Sequence, residues 1–144
     1  MRVRVLGVDL GSRRIGLALS DALGMIAGPH ATLVRSGDRA VDHRAIVDAA
    51  HEAGAQRIVV GLPLSLSGDL GPAARAALEE VDELSKPAAA AQPPIVVETY
   101  DERFTTVTAH AALTDAKVKR STRKEVVDKV AAAVMLQAYL DAQR

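Results

Sequence analysis

The first 34 residues restrict the kind of sheet this chain can build. Val3 to Leu10 is apolar and β-branched-rich, the pattern of a buried strand. Ile15 to Ser20 sets Ile15, Leu17 and Leu19 against Gly16, Ala18 and Ser20, which reads as a second strand. Met25 to Val34 gives a third, interrupted at Gly28-Pro29. The links between them, Gly11 to Arg14 and Asp21 to Gly24, are too short to hold a crossover helix. Three consecutive strands must therefore form an antiparallel meander.

Beyond Val34 the pattern changes to alternation. Ser36-Gly37-Asp38 opens a helix whose expected core face is Val41, Ala45, Ile46, Ala49, Ala50 and Ala53, with Gly54 as its stop. Arg57 to Gly61 is a short buried strand, followed by the loop Leu62 to Gly71. Pro72 suits the first turn of a second helix, with Ala74, Ala77, Leu78, Val81 and Leu84 facing inward and Lys86-Pro87 ending it. Ala88 to Pro94 reads as an Ala/Pro surface connector. Ile95 to Thr99 is a strand leading into Tyr100-Asp101-Glu102-Arg103. Thr105 or Thr106 caps a short helix reaching Leu113, and Lys117 to Lys124 is a basic loop. Thr122 with Glu125 fits a capping box for a last helix ending near Ala142. The order β-β-β-α-β-α-β-α-α predicts an α/β fold with a mixed five-stranded sheet, three antiparallel early strands and then parallel ones, flanked by helices. Its 144 residues fit one domain, 1–144, with one sizeable core.

Composition excludes several classes of function. There is no cysteine, so disulfides and thiolate metal sites are out. Aromatic residues make up 2%, too few for the stacking platforms of a single-strand binder. The 18 basic and 18 acidic residues balance, so only clustering of charge can point to a polyanionic partner. The apolar run before Asp9 is too short for a signal segment or membrane span, which makes the cytoplasm the expected location, with no membrane partner. His30, His43, His51 and His110 show no metal-ligand spacing, and His43 and His51 are expected to face solvent.

Three carboxylates on separate segments remain. Asp9 ends a buried strand on the face shared by Val3, Val5 and Gly7, where an aspartate is costly without a partner. Asp101 and Glu102 follow the last strand and point to opposite faces of an extended chain, so one of them can join Asp9. Asp128 lies in the first turns of the last helix, at the edge of its apolar surface. Taken singly, each has an ordinary explanation: a turn aspartate, a polar strand end, a carboxylate at the positive end of a helix dipole. Taken together they suit Mg2+ or Mn2+, hard ions that take oxygen ligands, and so a nuclease that needs no protein nucleophile. Candidate phosphate contacts are Arg13, Arg14 and Arg103, together with Lys117, Lys119, Arg120, Arg123 and Lys124 in the basic segment. In the loop after Gly61-Leu62-Pro63, Leu64 and Leu66 serve equally well as a contact to a base or partner and as cover for the core.

These segments together resemble the YqgF family, also called RuvX, within the RNase H-like superfamily. The resemblance rests on Gly7-Val8-Asp9-Leu10-Gly11 with Arg14-Ile15-Gly16, then Ser20-Asp21, Gly61-Leu62-Pro63 with Gly68, Asp101-Glu102-Arg103 with Thr105-Thr106, and Val127-Asp128 with Ala131-Ala132 and Leu136-Gln137. They run in the family's order from end to end of the chain. The resemblance implies a hydrolase acting on phosphodiester bonds, trimming the 5′ end of precursor 16S rRNA in ribosome biogenesis, as a monomer or homodimer. It implies Asp9, Glu102 and Asp128 as catalytic residues and metal ligands, with Asp101 as the alternate for Glu102. Resolution of branched DNA (a Holliday-junction resolvase in repair) is the first alternative, and a non-catalytic nucleic-acid-binding module the second. The ATPase relatives of the fold need two such domains around a nucleotide, and this chain supplies one.

Overall fold

The computed structural model describes residues 2–64, 67–102 and 120–143, and side chains throughout except over 120–126. A five-stranded sheet runs β1 (Val5–Leu10), β2 (Arg14–Ser20), β3 (Ala27–Val34), β4 (Arg57–Leu62) and β5 (Val96–Asp101) along the chain. Its spatial order is β3-β2-β1-β4-β5. The β1-β2 and β2-β3 pairs are antiparallel, and β1-β4 and β4-β5 are parallel. This is the mixed sheet expected from the sequence. Helices α1 (Arg39–Ala53), α2 (Pro72–Ala90) and α3 (Arg120–Ala142) flank it. The predicted short helix from Thr105 to Leu113 lies outside the described residues. Among the described residues no helix is long and apolar enough to cross a membrane.

Strand alternation sorts the core into two layers. Leu6, Val8, Ile15, Leu17, Ile58 and Val60 face α1 and α2, where Ile46, Ala50, Leu84 and Ala88 meet them. Val5, Ala18 and Val59 face α3, against Ala132, Met135, Leu136 and Tyr139. Asp9 follows Val5 and Gly7 in period two, so it faces the α3 side. With little aromatic bulk, the α3 interface depends on small residues. A Cβ added at Gly7 would sit 2.9 Å from the Cβ of Leu136. Gln137 fastens the helix to the meander, accepting from the Ala27 amide at 2.8 Å and donating to the Met25 carbonyl at 3.1 Å.

Several local expectations change. The caps of α1 are as predicted, with the Asp38 side chain accepting from Ala40 N and Gly54 left-handed at φ 75. Its buried face is rotated, however, to Asp42, His43, Ile46, Val47 and Ala50, and Val41 is 53% exposed. His43 is only 3% exposed, not turned to solvent. The cause is a buried polar network that hydrophobic periodicity cannot register. The Arg35 guanidinium donates from both terminal nitrogens to Glu80 of α2, at 2.6 and 3.0 Å. His43 Nε2 lies 2.8 Å from the same carboxylate, and Asp42 accepts from the Ser36 amide. Arg35 and the nearby histidine hold the Glu80 carboxyl below its usual range against the opposing effect of burial. Helix α2 also runs through Pro87 to Ala90, so the connector begins later than predicted. Burial of Leu84 and Ala88 on either side outweighs the one hydrogen bond a proline forgoes. Helix α3 already includes Thr122, which removes that residue as its N-cap and makes Arg120, Arg123 and Lys124 helical.

The network predicts a large stability effect from a residue outside the three carboxylates. Glu80→Ala leaves the buried His43 and the part-buried Arg35 without this carboxylate, with Asp42 at 3.9 Å as the remaining acidic neighbour of Arg35, and costs on the order of 3–5 kcal/mol. Urea unfolding of the two proteins checks this, and a loss below about 1 kcal/mol would mean that the network behaves like a surface ion pair.

Candidate active site

The parallel strands β1, β4 and β5 end on the same side of the sheet, where open α/β sheets place their ligands. Asp9 is the penultimate residue of β1 and Glu102 directly follows β5. Between them, at the end of β4, stands Gly61. A Cβ there would collide with the Glu102 carboxyl, so the missing side chain is the space through which Glu102 reaches Asp9. The two carboxyls share a hydrogen bond.

Their electrostatics follow from that contact. Burial, then the charge and hydrogen bond of Asp9, then the charge of Asp101, push Glu102 up to about 7. Asp9 is raised as well, by burial first and by the charge of Asp128, while the Glu102 hydrogen bond works in the opposite direction. The two carboxyls thus hold one proton between them, with both acids raised above their ordinary values. Two acids this close cannot both ionise in a partly dry site without a cation between them.

Asp128 arrives from the opposite side. Asp9 pairs with Gly16 across β1 and β2, and a Cβ on Gly16 would run into the backbone carbonyl of Asp128. Gly16 therefore lets α3 lie against the sheet directly beside Asp9. The Asp128 carboxylate accepts from Arg14 Nε at 2.9 Å, and both side chains are partly exposed. Arg14 lies two residues before Gly16 on the same strand face, which puts the pair on the α3 side of the sheet with Asp9. Among the described residues, no group of three His, Asp or Glu side chains is gathered tightly enough to hold a metal ion. Two carboxyls meet, and the third is held by an arginine.

The turn after Asp9 is fixed from beneath. Gly11 N donates to Arg14 O at 3.0 Å, a closure that a Cβ at Gly11 would obstruct. Arg35, from the buried network, donates through Nε to Gly11 O at 2.8 Å and through its amide to Arg13 O at 2.9 Å. Arg13 is exposed at the tip of this turn.

Of the residues singled out in the sequence, the structure brings Asp9, Glu102, Asp128 and Arg14 together. Asp101 bears on Glu102 through its charge, but the hydrogen bond to Asp9 belongs to Glu102. Arg103, Lys117 and Lys119 lie outside the described residues, as does Leu66, and the side chains of Arg120, Arg123 and Lys124 are likewise not described. Leu64 is half-buried. Sequence reasoning overlooked Gly16 and Gly61 as the residues that give Asp128 and Glu102 their places. It also missed Arg35 and Glu80 as supports. The signal available for the glycines was their position at strand ends beside the acidic segments.

Comparisons with known proteins bear on the chain as a whole. A family model described as "RuvX: Holliday junction resolvase" matches residues 3–142. A protein of Kineococcus radiotolerans is 47% identical over 139 residues, covering 96% of this chain and 72% of its own. One of Chloroflexus aggregans is 45% identical over 141 residues, covering 97% and 94%, and one of Clostridium botulinum is 41% identical over 139 residues, covering 96% and 97%. Each of the three carries the name "Putative pre-16S rRNA nuclease". Among solved structures, RuvC of Thermus thermophilus in complex with a Holliday junction substrate superposes with a TM-score of 0.58 at 16% identity, over 98% of this chain and 96% of that one. The yeast mitochondrial Holliday junction resolvase Ydc2 gives 0.56 at 11% identity, over 99% and 79%. At such identities the structural likeness speaks for the fold, which is that of the RuvC-like, RNase H-like nucleases. The family model and the relatives together span nearly the whole sequence, and the chain belongs to the RuvX family.

Proposed function

We propose that this protein is a divalent-cation-dependent nuclease that cleaves phosphodiester bonds at the 5′ end of precursor 16S rRNA in the cytoplasm. The observation that carries the reading is the Asp9–Glu102 pair, two half-buried carboxyls sharing one proton at the end of a parallel sheet, with Asp128 beside them. Such an arrangement is unfavourable for an empty fold and suited to a cation. All the donors are carboxylate oxygens, the choice of Mg2+ or Mn2+. Asp9, Glu102 and Asp128 are the residues that would hold the ion.

When bound, such a cation activates water for attack and stabilises negative charge on the phosphodiester oxygens. The chain's own groups do the rest. The Asp9–Glu102 pair gives up its shared proton so that both members are available as ligands. Asp9, anchored in β1 and backed by the Gly11 turn, sets the position of the site against the sheet. Arg13 and Arg14 face the same end and supply fork-shaped donors to phosphate oxygens. The segment Lys117 to Lys124 adds charge that reads shape rather than sequence.

The family description favours a second substrate, the four-way DNA junction. One experiment separates the two. Purified protein is given a labelled precursor 16S 5′-end RNA and a labelled four-way DNA junction, in Mn2+, Mg2+ or EDTA. Cutting of the RNA only in the presence of the cation is the expected result. Preferred cutting of the junction would assign the same chemistry to DNA repair. Tight binding of either without cutting in any cation would leave a binding module and end the nuclease reading.

A further inference from the structure

Arg14 occupies an unusual place in this site. It is a basic side chain paired directly with one of the three carboxylates. Its guanidinium holds Asp128 at 2.9 Å, with side-chain exposures of 29% and 27%. The described part of the site offsets part of its negative charge internally, with a shared proton on the Asp9–Glu102 pair and with Arg14 on Asp128, and one negative charge stays on the pair. Because Arg14 and Asp128 are both partly solvated, their bond is of the exchangeable kind, unlike the buried bidentate Arg35–Glu80 pair. The placement is built rather than incidental. Arg14 and Gly16 share one face of β2, and Gly16 is what brings the Asp128 backbone against that face.

We propose that Arg14 is a positioning residue that competes with the divalent cation for Asp128, so that the site has its third ligand only when a cation displaces the guanidinium. The inference rests on the reading of Asp9, Glu102 and Asp128 as a cation site. It adds that the cation affinity of that site is set from within, by an arginine already seated on one ligand. Once displaced, the guanidinium remains at the mouth of the site as a donor for a phosphate oxygen.

The test is a Mn2+ titration by calorimetry, without nucleic acid, on wild type, Arg14→Gln, Arg14→Lys, Asp128→Asn and the Arg14→Gln/Asp128→Asn double variant, each confirmed as folded by circular dichroism. Loss of the competitor should tighten Mn2+ binding about fivefold or more in Arg14→Gln. Arg14→Lys, which keeps a cation beside Asp128, should stay within about twofold of wild type. The gain must vanish in the double variant, which should match Asp128→Asn. An unchanged or weaker affinity in Arg14→Gln would overturn the inference alone. So would a gain that persists without Asp128, since that would be general charge relief. A folded wild type that binds no Mn2+ would overturn the cation site itself and this inference with it.

Discussion

Asp9→Asn is expected to lower cleavage by roughly a thousandfold or more while leaving a folded protein that, at pH 8, melts at a higher temperature than wild type. The first half follows from removing a carboxylate from the centre of the site, where it meets Glu102 directly and feels the charge of Asp128. The second follows from the sign of the pKa shifts. Both Asp9 and Glu102 are raised on folding, so the native state binds protons more tightly than the unfolded chain. The stabilising contribution of Glu102 is complete below its unfolded value of 4.5 and is lost as pH rises toward about 7, and that of Asp9 is complete only below 3.8 and is lost as pH rises through its raised folded value. Above that, the pair is a strain on the fold that asparagine relieves by donating to Glu102 without a charge. Cleavage assays beside thermal melts at pH 5 and pH 8 check both halves. A gain in melting temperature confined to pH 8 is the predicted pattern, and such an exchange of activity for stability is common where a site is held against its own repulsion.

Gly16→Ala should be the most damaging single methyl in the protein. The added carbon would meet the Asp128 carbonyl, which is backbone and cannot swing aside. Helix α3 has to lift from β2, and that helix covers Ala18, Val59 and Tyr100 through Ala132, Met135, Leu136 and Tyr139. A cost of about 1–3 kcal/mol is expected for overpacking of this kind, with cleavage falling well beyond what the lost stability explains, because Asp128 moves with the helix. Gly28→Ala is the control, since its Cβ would meet nothing within 4 Å. Urea midpoints and single-turnover rates of the two variants decide the matter. Equal, near-wild-type behaviour would show that the close approach of α3 to β2 is not needed.

How much of this could be read from the sequence depended on how local each signal was. The meander was legible because its links are too short for anything else, and the parallel strands because each follows a helix. Asp9 and Asp128 stood out as carboxylates at the edges of apolar segments. The choice of Glu102 over Asp101 needed the sheet, because only the space over Gly61 says which of two neighbouring acids turns toward Asp9. The Arg14–Asp128 pair joins residues 114 positions apart, and no local pattern encodes it. Asp42, His43 and Glu80 look like surface residues by polarity, so their burial around Arg35 rotated α1 away from its apparent face. Pro87 marked a helix end by the local rule, and tertiary burial overrode it.

If Asp9 and Glu102 share a proton in a site made for a cation, protons are released when Mn2+ binds and can be counted. Calorimetric titrations at pH 6 in two buffers of different ionisation enthalpy give that number. A value close to one is expected in wild type, falling toward zero at pH 8 and in Glu102→Gln. Mn2+ binding with no proton released at pH 6 would contradict this pairing, because the cation would then be bound without displacing the proton that the two acids hold.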